Sequence, residues 1–409
     1  MARIGIVGTG IVGAAIATRL IGDGHQVTVF DADPEGLPTS AGNAALIALP
    51  EIAPLASPGM LTAVPKWLLD PLGPLTLRWQ DLPALTPWLL AFLAASTPAR
   101  GAKARAALTD LMQTALADHE SLARIAGIEG HLRQTGYISL HDSETSLKGA
   151  LHEAASVKQA LGYDYEAISP ETARRMVPQL EGRFFGAVHQ PIYWMVSNPL
   201  TVLRQYQDFV RHSGQLVRGQ VTGIEQGGRG VALRLAGQPE QVFDKVVVAA
   251  GVWSRDLVRG LGLRVLLETE RGYNTTYTDL GWNLDLPVGL ADHGFIASPL
   301  VDGLRIGGAV ELAKPETSPN FGRAKAMREK LRRYIPSLPE GGTEWMGRRP
   351  STPDSLPVIG QHPADNRIVF AFGHGHLGLT LSAVTARLVA SAMSGANSMP
   401  EALSIVRFQ

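Results

Sequence analysis

The 409-residue sequence contains no cysteine. That excludes disulfides, thiolate-bound zinc, iron–sulfur clusters and thiol nucleophiles. A charge bias is also missing, because 37 Lys and Arg balance 37 Asp and Glu. Without excess positive charge there is no general surface for nucleic acid or anionic lipid, although a local basic pocket is still allowed. Long apolar runs are absent too. The nearest, LTPWLLAFLAAS from Leu85, falls short of the about 18–20 residues that span a bilayer. The strand-like run ARIGIVG begins at Ala2, so no leader peptide is expected. What remains fits a globular, cytoplasmic chain, long enough for about two or three domains or two interleaved ones.

The first segment carries the clearest pattern. RIGIVGTGIVGAAIATRLIGDGHQVTVFDAD runs from Arg3 to Asp33. A β-rich run meets Gly8-Thr9-Gly10-Ile11-Val12-Gly13, a helix pattern follows, and a second strand ends at Asp31. This is a βαβ dinucleotide fingerprint. Gly8 permits the tight turn, Gly10 lets backbone approach a pyrophosphate, and Gly13 lets the helix lie close to the strands. The helix N-terminus supplies amide donors and the positive end of a dipole. An acidic Asp31 suits ribose hydroxyls and disfavours a 2′-phosphate. The fingerprint alone does not choose between NAD and FAD.

The next stretch, from Pro34 to Met60, reads as an ordered loop. Thr39, Ser40 and Asn43 either face a ligand or satisfy their own backbone. Trp67, Trp79 and Trp88 then fall in a Pro- and Leu-rich segment, read as a lid, a partner surface, a membrane-touching patch or packed core. Helices are predicted near Ala102–Ile128 and Thr145–Leu161, after Ser169 and Asn198 as caps, and over Arg323–Tyr334. Val246–Ala250 reads as a buried parallel strand ending at Gly251. The alternation from Leu263 to Gly308 reads as a mainly antiparallel sheet. A last buried strand, Arg367–Phe372, leads through FGHGHLGLT into a helix. Both ends of the chain therefore supply strand–turn–helix units to one layer, whose ligands sit beyond the carboxyl ends of the strands.

TSAGNAA (Thr39–Ala45), WMGRRPSTPDSLPVIG (Trp345–Gly360) and GHGHLGLT (Gly373–Thr380) resemble the flavin-dependent amino-acid oxidoreductases of the D-amino-acid oxidase superfamily. The small-subunit-type D-amino-acid dehydrogenases are the nearest in pattern. The resemblance implies an α/β fold: a Rossmann-like FAD-binding domain (1–45, 185–260 and 343–409) interleaved with a mainly antiparallel-sheet, α+β substrate-binding domain (46–184 and 261–342). It implies non-covalent FAD, since no cysteine can carry it. Gly8, Gly10, Ile11, Val12, Gly13 and Asp31 would hold its ADP half. Val221 would flank the adenine, Gly251 would approach the cofactor, and Thr39, Ser40 and Asn43 would line the flavin. Gly375, Leu377, Gly378, Leu379 and Thr380 would set a helix N-terminus against the flavin edge.

By the same resemblance Arg349 would bind a substrate carboxylate. Arg348, His374 and His376 either mark a second anionic group on the substrate or are structural, with Arg348 in solvent and His374 beneath the turn. Tyr273 and Phe295 are assigned to the substrate pocket, with Tyr277 and Trp194 as further wall candidates or ordinary sheet aromatics. No metal site is expected. The expected partners are a small amino acid and an electron acceptor: a quinone, an electron-transfer partner or oxygen. A peripheral contact with the inner face of the membrane is allowed, and nucleic acid is not expected.

Overall fold

The structure, a computed structural model, describes residues 1–57, 75–395 and 399–409. Trp67 lies outside the described residues. The chain opens on strand β1 (Arg3–Val7), helix α1 (Ile11–Gly22) and strand β2 (Gln26–Asp31). Around them a six-stranded sheet runs Gln215–Arg218, β2, β1, Lys245–Val248, Asp365–Phe372 and Val358–His362. The pairings are parallel except at the last strand. Ile4, Ile6, Val246, Val247 and Val248 have no exposed surface, as expected where a parallel sheet is covered on both faces.

One covering layer is helical. It comprises α1, Pro98–Ala126, Pro199–Ser213 and Ser382–Met393. The other is an antiparallel three-stranded sheet, Val221–Gly227, Gly230–Leu235 and Gln238–Phe243. Small residues on its buried face, Gly13, Ala14, Ala15 and Ala17 beside Ile11, Ile16 and Leu20, let α1 lie close to its neighbours. A Cβ at Gly13 would sit 2.0 Å from the Gly8 carbonyl oxygen. Gly8 itself has φ +101°, and a Cβ there would lie 2.5 Å from the Ala249 oxygen. Both glycines are required by backbone packing.

The second layer is a larger, mainly antiparallel sheet. Its strands run Thr343–Ser351, Glu268–Tyr277, Gly303–Leu312, Phe295–Leu300, Val288–Leu290, Tyr137–His141, Gly186–Gln190 and Glu166–Ile168, with Leu75–Leu77 beside Gly303–Leu312. Two segments expected with the dinucleotide half, Gly186–Gln190 and Thr343–Ser351, pair here instead. Conversely Pro98–Ala126, expected with the substrate half, packs beside α1 and Ser382–Met393. Edge pairing and burial decide these placements, and neither is written in local periodicity. Trp88 proves to be packed core, its indole N–H donating to the Ser351 carbonyl at 3.0 Å. Among the described residues no single helix is long and apolar enough to cross a membrane.

The glycine geometry separates two roles. Gly13→Ala should destabilise the protein by about 1–3 kcal/mol, as overpacking does, and lower its urea midpoint. Gly10→Ala should leave that midpoint of the cofactor-free protein nearly in place, because its Cβ would meet only the Ser40 hydroxyl, at 3.6 Å. Equal losses in both variants would contradict this division.

Candidate active site

A cavity of about 1110 Å³ runs between the two layers. Its first wall is the βαβ turn. Gly8, Gly10, Ile11, Val12 and Asp31 line it, while Gly13 stands behind in the packing. Asp31 Oδ2 accepts from the Thr9 amide at 2.7 Å and Oδ1 from the Asp33 amide at 2.9 Å. The carboxylate thus braces the turn from the end of β2. Gly10 caps α1 without a side chain. Gly251 has φ +57° and nothing within 4 Å of where a Cβ would be, and Val221 stands nearby on the same wall.

The second wall is the turn Thr39–Gly42 and the residues after it. Ser40 Oγ accepts from the Ile11 amide at 3.1 Å. The Thr39 hydroxyl donates to the Arg348 carbonyl at 2.9 Å and accepts from its amide at 3.2 Å. Asn43 is turned inward. Its Nδ2 donates to Ser40 O at 2.8 Å and its Oδ1 accepts from the Ala45 amide at 2.7 Å. Its side chain satisfies the loop, although the residue borders the cavity. Two residues of the large sheet fix the loop from the other side. Asn274 Nδ2 donates to Gly42 O at 2.7 Å, and Arg305 Nη1 donates to Ala41 O and Asn43 O at 3.0 and 2.8 Å.

The third wall follows the strand Asp365–Phe372. Gly375–Leu377 is a 3₁₀ turn, and the α-helix starts only at Ser382. The expected helix N-terminus is therefore one tight turn removed from Gly375. Leu377, Gly378, Leu379 and Thr380 still line the cavity. Thr380 Oγ1 accepts from the Ala48 amide at 3.0 Å, and its carbonyl meets His119 Nε2 at 3.0 Å. A bridge between Ser351 and His374 ties this turn to the strand that carries Arg349.

Arg349 and Glu270 are register partners across two strands of the large sheet. Gly272 opens the space they share, since a Cβ there would lie 2.3 Å from Arg349 Nη2. Among the described residues no group accepts a hydrogen bond from Arg349. Its guanidinium pKa is lowered by burial, with Glu270 opposing. Glu270 is 4% exposed, its Oε2 has no partner, and burial raises its carboxyl. A cation and an anion thus share one wall, both short of hydrogen bonds. Such a pair is poised for a ligand that brings its own charge.

The expectations for Arg348 and for Tyr273 and Phe295 need correcting, while His374 takes its structural alternative. Alternation along the strand sends Arg348 to the opposite face from Arg349, where its Nε donates to Pro315 O at 2.8 Å. His374 lies beneath the turn, bonded to the Thr385 hydroxyl at 3.0 Å, and burial drives it to about 3, so it carries no charge. Tyr273 and Phe295 border the cavity, but their rings join the apolar cluster with Ala324 and Met327 on the far side of the sheet. The Tyr273 hydroxyl donates to Glu311 Oε2 at 2.5 Å and accepts from the Asn320 amide at 3.0 Å. Tyr277 donates to Pro339 O, and Trp194 packs against the helical core; neither lines the cavity. His376 does reach it. His376 is exposed at the cavity, and desolvation with the Arg349 charge nearby lowers it to about 4.

The sequence matches the FAD dependent oxidoreductase (DAO) family over residues 3–392. The chain belongs to this family. It is 34% identical over 403 residues to a D-amino-acid oxidase of Bradyrhizobium diazoefficiens, covering 96% of this chain and 95% of that one. It is 31% identical over 419 residues to a D-amino acid dehydrogenase of Chromohalobacter salexigens, covering 95% of each. Among solved structures, glycine oxidase from Geobacillus kaustophilus matches with TM-score 0.76 and 22% identity, over 100% of this chain and 99% of that one. Iminodiacetate oxidase from a Chelativorans species matches with TM-score 0.72 and 18% identity, over 98% of each. These two likenesses concern the fold.

The residues present fit the family's FAD. Gly10 and Gly251 keep open space that a Cβ would enter, whereas Gly8 and Gly13 are closed by backbone. Gly10, Gly251 and Asp31 lie together on the wall that dinucleotide-binding folds use. The same oxidoreductase site is lined by residues that sequence patterns did not single out: Glu270, Gly272, and a group made of Glu51, Tyr137 and Tyr193, with Asn274 and Arg305 holding its loop. Glu270 and Gly272 share a face of their strand, so ETERG (268–272) held a usable signal. Glu51 sits in a loop with no periodicity to mark it.

The two depressed histidines give a sign for stability. Between pH 6.5 and about 4 the unfolded chain takes up protons that folded His374 and His376 refuse. Their contribution is therefore unfavourable at low pH, and stability falls as pH drops through this window. The urea midpoint of the wild type relative to His374→Gln should decline from pH 7 to pH 5. A constant difference would mean His374 titrates alike in both states.

Proposed function

We propose that this FAD-dependent enzyme oxidises the C–N bond of a small amino acid, with D-amino acids as the favoured class. The observation that carries the reading is Arg349: an arginine on the cavity wall, beside a glycine that clears its place, with no hydrogen-bond acceptor among the described residues. A guanidinium in that state fits a carboxylate through two parallel hydrogen bonds. The relatives named D-amino-acid oxidase and D-amino acid dehydrogenase support the choice of class.

Arg349 anchors the carboxylate and fixes the position of Cα. The nearby Glu270 charge favours the protonated guanidinium. His376, neutral above about pH 4, adds no positive charge beside an incoming amine and offers a lone pair to its N–H. The substrate leaves as an imine after losing two electrons and two protons across Cα–N. Water then hydrolyses it to a keto acid, or to an aldehyde acid when the oxidised α-carbon is a CH2. FAD, when bound, supplies the electron sink. The dicarboxylate alternative loses its support, because Arg348 faces away and His374 is uncharged.

Anaerobic bleaching of the flavin by D-alanine, D-proline, sarcosine, glycine and iminodiacetate, each added separately, tests the reading. Arg349→Ala should keep FAD and lower kcat/KM by about 100-fold or more, the usual cost of removing a buried charge partner. Arg349→Lys should recover part of it, since a point charge makes only one of the two bonds. Full efficiency in Arg349→Ala would remove its role. Recovery of colour in air separates oxygen from a quinone or protein acceptor.

A further inference from the structure

A second charged group faces the same cavity and takes no part in the chemistry above. Glu51 follows the short strand Leu46–Ile47. The Ala48 amide is tied to Thr380, the Glu51 amide bonds to Ala48 O at 3.1 Å, and the Leu55 amide reaches the Ser355 hydroxyl at 3.0 Å. The segment is thus strung between two anchors on the C-terminal part of the chain. Glu51 Oε1 accepts from the Tyr193 hydroxyl at 3.2 Å. The Tyr193 ring lies 4.7 Å from that of Tyr137, tilted by 36°. Tyr137 Oη in turn fills the space over Gly289, 1.9 Å from where a Cβ would be. All three side-chain positions border the cavity.

Among the described residues no Lys, Arg or His pairs with Glu51, and its second oxygen has no partner. Among the described residues, the one charge acting on it is another carboxylate, Glu153. Glu51 is open to the cavity and lies beside two aromatic rings, and no counter-ion meets it among the described residues. A ligand that brings a cation would supply the missing partner. An aromatic wall beside a carboxylate is also a good environment for a positively charged nitrogen.

We infer that Glu51, Tyr193 and Tyr137 form a cation subsite, and that the preferred substrate is an α-amino acid with a positively charged side chain. The carboxylate end of that substrate rests on the Arg349 assignment above. The second charge on this substrate is then positive, the reverse of what Arg348 and the two histidines suggested. Desolvation raises the Glu51 carboxyl, and a cation set against it would act in the opposite direction.

The test uses the FAD-loaded enzyme with 6-aminohexanoate and hexanoate. Neither has an α-amine, so neither is oxidised, and affinity is read from the change in flavin absorbance. Wild type should bind 6-aminohexanoate about 10-fold more tightly than hexanoate, the order expected of a desolvated charge contact. Glu51→Gln should reduce that ratio to within about 2-fold, and Glu51→Asp should keep part of it. Equal affinities in wild type would overturn the inference without any variant, as would a full ratio in Glu51→Gln. In turnover, D-lysine should outperform D-norleucine, and Glu51→Gln should abolish the difference. If the affinity ratio behaves as stated but no amino acid bleaches the flavin, the subsite stands and the amino-acid oxidation reading falls.

Discussion

The turn Thr39–Gly42 is the joint on which the site depends. Ser40 fastens it to the first amide of α1. Thr39 fastens it to Arg348, Asn274 to its Gly42 carbonyl, and Arg305 to the carbonyls of Ala41 and Asn43. One short turn is therefore hydrogen-bonded both to α1 and to the large sheet. Arg305 is largely buried, and desolvation lowers it to about 10, still far above neutrality. Its charge strengthens two bonds to carbonyls that have no other partner nearby. Because these bonds act over a few ångströms, they set the register between the dinucleotide wall and the large sheet. The cavity and the direction of Arg349 both follow from that register.

Space at this joint is made by omission. Gly272 clears the Arg349 guanidinium, Gly42 lies under the Trp345 ring, and Gly289 lies under the Tyr137 hydroxyl. A side chain at any of them would collide with the group that now defines the wall. Gly10 and Gly251 differ, because they border open space rather than protein. The first set shapes the protein part of the cavity, and the second leaves room for a flat, extended cofactor.

The electrostatics of the walls are equally divided. Arg349 is opposed by Glu270, while Glu51 meets tyrosines and no cation among the described residues. His374 and His376 are kept neutral by burial, and Arg348 is tied off on the other face of its strand. Cationic residues that cluster in the sequence are thus dispersed by the fold. Glu270 and Glu51, far apart in sequence, reach the same cavity.

Local pattern carried much of this protein by itself. The βαβ unit, the separate duties of Gly8, Gly10 and Gly13, the buried strand before Gly251 and the glycine turn before the last helix all follow from residue type and spacing, because backbone constraints are local. Arg349 was legible through a motif. The faces of Tyr273, Phe295 and Arg348 were not, since a strand's alternation says which residues share a face but not which face meets the ligand. Nor was the pairing of Gly186–Gln190 and Thr343–Ser351 with the large sheet, which depends on partners distant in sequence. Asn43 offered the same side chain to either use, and only the folded loop decided that it serves its own backbone. Glu51 gave no signal at all, because an acid in a loop acquires meaning only when the fold closes aromatic walls around it and provides no counter-ion among the described residues.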